Sequence, residues 1–93
     1  MSCTLLTQKA VQKCTWKALT DEYKLDVNND TSLRDRSGLA LDDEEIRTNT
    51  YEVVRDAVIA KGCALTAFGP DQMVDCATVG DIVKAVTDDI LSN

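Results

Sequence analysis

The acids and the thiols are the side chains with most chemistry to offer in this sequence. Asp42-Asp43-Glu44-Glu45 is a run of four carboxylates. Paired carboxylates can exchange protons or hold a hard cation. Either task needs a second group, and no second acid cluster, histidine or lysine signature supplies one here. The chain contains no histidine at all, which removes the commonest general base, the commonest metal ligand and every triad built on His. What remains for the run is electrostatic. Acids at a helix start complement the helix dipole, and four together make an acidic surface suited to a basic protein partner. Asp56 is placed on the same surface.

Asp26, Asn28 and Asp30 alternate like the first half of a calcium loop. The pattern then fails, because Thr31 stands where the sharp turn wants Gly and Ser37 where a bidentate Glu is needed. The segment is read as an Asn/Asp turn. The four cysteines, Cys3, Cys14, Cys63 and Cys76, are too far apart in sequence for a zinc pattern. Cys63 follows Lys61-Gly62 at a predicted helix end, the wrong pole of the dipole to favour a thiolate, and Cys76 has no basic neighbour. Residues 1–6 carry no basic, apolar leader, so the expectation is a cytoplasmic chain with reduced structural thiols. Gly62, Gly69 and Gly80 are too scattered for a phosphate loop. No catalytic residue and no metal ligand is expected, and the chain is not read as an enzyme.

Composition agrees. The 93 residues make one small domain, 1–93, with no room for a second core. Ten basic against sixteen acidic residues give a net charge of −6. That charge repels phosphate backbones and anionic lipid, so neither nucleic acid nor membrane is expected as a partner. No segment approaches the roughly 20 apolar residues that cross a bilayer. Apolar residues are 44% and aromatics 4%, so the core must be aliphatic, and one Pro and four Gly favour helices.

Several elements must position the acids. Leu6, Ala10, Cys14 and Ala18 recur at spacing four, with Val11 and Leu19 on an adjoining stripe, and predict a helix from about Thr4 to Tyr23. Lys9, Lys13 and Lys17 form a solvated row beside it, and Trp16 covers one edge of the core. Lys24 to Leu41 reads as a long loop, with turns at Asn28-Asn29-Asp30 and Ser37-Gly38. The acidic run then opens a second helix over Asp42–Lys61, or precedes a helix that starts near Thr50 behind Asn49. Lys61-Gly62 ends either version. Cys63 to Phe68 is a packed connector, and Pro70 suits the first turn of a short helix through Asp75. Thr78 and Asp81 predict a capping box, followed by Val79, Val83, Val86 and Ile90 on one face of a last helix, Val79–Leu91.

This layout resembles the acyl carrier protein family, a four-helix bundle with a long first loop, a partner-binding second helix, a short third helix and a final helix. Ala77-Thr78-Val79-Gly80-Asp81-Ile82-Val83 looks like the start of that family's last helix. Asp30-Thr31-Ser32-Leu33-Arg34-Asp35 looks like the end of its first loop. The resemblance covers roughly Thr4 to Ile90. It implies an all-α four-helix bundle and a part in acyl or peptidyl transfer, as in fatty acid or polyketide biosynthesis. Its acidic face, Asp42, Asp43, Glu44, Glu45 and Asp56, would meet the basic surface of a synthase or transferase.

The sequence departs from the family at the attachment site. Working carriers open the second helix with Asp-Ser-Leu, whose Ser bears 4'-phosphopantetheine. Counting on from Leu33 puts Leu39-Ala40-Leu41 there, and counting back from Val79 puts Asn49-Thr50-Tyr51 there. Ser37 and Thr50 are the hydroxyls left as candidates, so the arm belongs to this chain only if a shifted hydroxyl takes it. Without the arm, the chain works by protein contact. The other reading is a small acidic inhibitor, immunity or regulatory protein covering a basic partner.

Overall fold

A computed structural model of the chain describes residues 3–5, 7–24, 26–32 and 44–92. Four helices follow one another: α1 over Gln8–Tyr23, α2 over Glu44–Ala60, α3 over Pro70–Met73 and α4 over Val79–Leu91. There is no strand among the described residues, only an isolated antiparallel bridge between Ser32 and Thr78. α1 packs against both α2 and α4, and α3 packs against α2. Among the described residues, the all-α, four-helix expectation holds.

Helix α4 follows the sequence reading. Thr78 is extended, and the Asp81 carboxylate accepts the backbone N–H groups of Ala77 at 2.9 Å and Thr78 at 3.2 Å. These bonds hold the Asp81 carboxyl below its ordinary range. Val79, Ile82, Val83, Val86 and Ile90 are all buried, as their spacing requires.

Helix α1 differs in two ways. It starts at Gln8, not at Thr4, because Thr7 is extended and its hydroxyl accepts the Ala10 N–H. Its deepest face is Val11, Thr15 and Leu19, whereas Ala10, Cys14 and Ala18 are only half-buried. Leu6 lies outside the described residues, and the rest of the stripe at spacing four is therefore the flank of the core. Small side chains there leave a groove against α2.

Helix α2 takes the longer of the two expected forms, within the described residues, and Asp42 and Asp43 lie outside them. Gly62 ends the turn that follows, with φ of 79°. Beyond it the reading of reduced thiols is corrected for one pair, since Cys3 and Cys63 form a disulfide across 60 residues of sequence. The N-terminal segment runs against the end of α2, where the N–H of Thr4 donates to the Lys61 carbonyl at 3.1 Å. That contact brings the two Cα atoms to 4.5 Å, within disulfide reach. Cys14 and Cys76 are free.

Two polar clasps fix the connections. In the first loop, the Asn29 side chain accepts the Trp16 indole N–H at 3.0 Å and donates to Gln12 at 2.8 Å. The Asn29 carbonyl accepts the Gly80 N–H at 3.0 Å. A Cβ on residue 80 would stand 3.0 Å from that same oxygen, so a larger residue there would force Asn29 to give way by a few tenths of an ångström. The predicted Asn/Asp turn is present, with Asp30 N–H donating to the Asn28 side chain. In the second clasp, Asp89 of α4 is 5% exposed. Its carboxylate accepts the N–H groups of Thr66, Ala67 and Phe68 and the Thr66 hydroxyl, at 2.9 to 3.1 Å. Burial pushes the Asp89 carboxyl up, but those donors outweigh it and hold the group below its ordinary range.

Candidate functional site: an acidic face on the second helix

α2 gathers the acids. Glu45, Glu52 and Asp56 are seven and four residues apart, so they fall on one stripe of the helix. All three are exposed, as are Thr48 and Asn49 beside them. Glu44, Glu45, Thr48, Asn49 and Glu52 line a shallow depression in the surface. The opposite face carries Thr50, Val54 and Val58, which are buried. One helix thus turns its apolar side to the core and an acidic side to solvent.

Of the acids singled out in the sequence, Glu44, Glu45 and Asp56 lie on α2, and Asp42 and Asp43 lie outside the described residues. Glu52 was missed. Its place on the stripe follows from adding seven to Glu45. Asp56 carries a local counter-charge, because Arg55 approaches it at 3.3 Å with both side chains exposed. Such a surface pair contributes little stability. Arg55 also lies 5.7 Å from the centre of the Tyr51 ring, which anchors it at one edge of the face.

The two candidate attachment residues fare differently. Ser37 lies outside the described residues. Thr50 is fully buried. Its hydroxyl donates to the Ile46 carbonyl at 2.8 Å and meets the Tyr23 hydroxyl at 2.6 Å, and the Asn49 amide donates to that Tyr23 oxygen at 3.1 Å. The donors run in one direction, from Asn49 to Tyr23 to Thr50 to Ile46. The chain ties the end of α1 to the first half of α2. An enzyme delivering a phosphopantetheine arm has no path to that oxygen in this conformation.

No group of metal-ligating side chains is present among the described residues. Among them, no helix is long and apolar enough to cross a membrane. Among the described residues, the face presents carboxylates and a shallow depression to solvent. Comparison with protein-family models, with curated proteins and with solved structures finds no match to this chain.

Proposed function

We propose that the chain is an acyl-carrier-protein-like module of acyl or peptidyl transfer that acts by protein contact. Its α2 face docks on the basic surface of a synthase or transferase. The observation that carries the reading is the exposed stripe Glu45, Glu52 and Asp56 on a helix whose other side is locked into a four-helix core. Support comes also from the short α3 and from the capped Thr78-Val79-Gly80-Asp81 start of α4, both features of the resembled family. The buried, doubly bonded Thr50 hydroxyl argues against an arm at that residue.

Two measurements test this. Intact mass after co-expression with a broad-specificity phosphopantetheinyl transferase is expected to stay unmodified while a known carrier in the same cells gains the arm. A mass gain mapped to a Ser or Thr would replace the contact reading with that of a working carrier. A photo-crosslinker at Thr48 is expected to capture a synthase or transferase through a lysine- or arginine-rich surface. The same crosslinker at Lys84 on α4 should not. Equal capture from both positions would refute the α2 face.

The disulfide favours a second reading. Cys3–Cys63 pairing persists where thiols are oxidised, and a small acidic inhibitor, immunity or regulatory protein is at home in such a compartment. The Thr48 crosslink separates the two readings. An enzyme whose activity falls when the chain binds would select the inhibitor.

A further inference from the structure

The groove between α1 and α2 has a sign opposite to that of the whole molecule. It is open, with a volume of about 520 Å³, within the range of small-ligand sites. Its floor is Leu5, Ala10, Cys14, Ala57 and Ala60, and its rim includes Lys13, Lys17 and Lys61. Alanine at four floor positions, counting Ala18, leaves room where larger side chains would close the two helices together. One wall is built by Thr4 and Leu5, held against the end of α2 by the Thr4 hydrogen bonds to the Lys61 carbonyl and by the Cys3–Cys63 disulfide.

We propose that this groove binds a free, single-chain anionic amphiphile, an alkyl carboxylate, with its head among the lysines and its chain along the alanine floor. Three cations around one groove, Lys13 and Lys17 on α1 and Lys61 beyond the end of α2, are what select the sign of the head in a chain of net charge −6. Asp21 lines the same groove one turn beyond Lys17 and offsets it, so Lys13 and Lys61 carry most of the attraction. The Lys61 charge is felt at Cys14: burial pushes that thiol up, and the Lys61 ammonium opposes the shift. The cationic head site and the apolar floor therefore meet around Cys14, whose sulfur lies 3.6 Å from the Ala57 carbonyl across the groove. Neither the acidic stripe of α2 nor the carrier-like reading enters this argument.

The test uses the oxidised full chain. Dodecanoate is titrated calorimetrically, with dodecyltrimethylammonium as the ligand of equal chain and opposite head. In parallel, N-ethylmaleimide labelling of Cys14 is followed by peptide mass, with and without dodecanoate. One saturable dodecanoate site is expected, and about fivefold slower labelling of Cys14 when it is filled. The ammonium ligand should bind about tenfold more weakly, and K13A/K61A should lose about tenfold in dodecanoate affinity with its unfolding midpoint unchanged. Equal affinity for the two heads would overturn the proposal. So would Cys14 labelling at an unchanged rate under saturating dodecanoate, or the absence of any binding.

Discussion

Substituting Asp89 tests whether one buried carboxylate holds the connector to α4. Its two oxygens take three backbone N–H groups and one hydroxyl. In Asp89→Asn, one oxygen remains to accept the N–H groups, and the new amide donates to the Thr66 hydroxyl, which turns to accept. Shape is kept and charge assistance is lost. A charged hydrogen bond contributes about 1.5 to 3 kcal/mol against about 1 for a neutral one, so three of them predict a loss of about 2 kcal/mol. Asp89→Ala leaves the buried donors without partners and should cost about 4 kcal/mol. For a 93-residue chain of about 5 to 14 kcal/mol total stability, either change is large. Urea unfolding read by the single Trp16 is a suitable assay. With a slope of about 1.5 kcal/mol per molar, the Asn variant's midpoint falls by about 1.3 M. Acid adds a sign. The native carboxyl is lowered from 3.8, so its contribution is present above that pH and is lost as the pH falls towards the lowered value. The gap between wild type and Asp89→Asn should therefore close in that direction. A midpoint within error of wild type at neutral pH, or a gap that widens in acid, would refute the account.

Three further changes follow from particular contacts. Gly80→Ala places a methyl 3.0 Å from the Asn29 carbonyl and 3.2 Å from its Cβ. Trp16 and Gln12 hold Asn29 in place, so the variant should lose about 1 kcal/mol and shift the Trp16 emission, whereas a gain in melting temperature would count against the clasp. Thr15→Val removes a buried hydroxyl with no hydrogen-bond partner among the described residues, at nearly constant volume. It should raise stability by about 1 kcal/mol in the same urea assay, and a loss would mean that the hydroxyl is satisfied. Cys3→Ser/Cys63→Ser opens a 60-residue loop and should cost about 4 kcal/mol by chain entropy, read as a lower melting temperature that matches the reduced wild type.

The parts of the fold legible in the sequence are those written locally. α4 carries its cap just before its thirteen residues and its first-turn acid and apolar spacing within them, and each survives in the structure. α1 shows where local reading fails. Ala10, Cys14 and Ala18 repeat at spacing four and look like a core face, but side chains that small leave the depth to Val11, Thr15 and Leu19. A polar Thr15 inside that deeper stripe hid it. The start of α1 was also written locally, in Thr7, a capping residue that a reading led by apolar spacing passes over.

The contacts that were not legible are those between distant segments. Cys3 and Cys63 have nothing in common in sequence, and they meet only because the N-terminal segment hydrogen-bonds to the end of α2. Asp89 did leave a trace. A carboxylate in the last turn of a helix opposes the dipole, and a chain that tolerates one there has another use for it. Here that use is the three N–H groups of the connector. The same logic separates the two faces of α2. Val54 and Val58 face inward, so the stripe of Glu45, Glu52 and Asp56 is fixed in place without contributing to the core. Its charge can change at little cost to stability. Thr50 cannot be freed in the same way, because its hydroxyl is the link between Tyr23 and Ile46. A surface open to substitution thus stands on the same helix as a hydroxyl that cannot be changed without loosening α1 from α2.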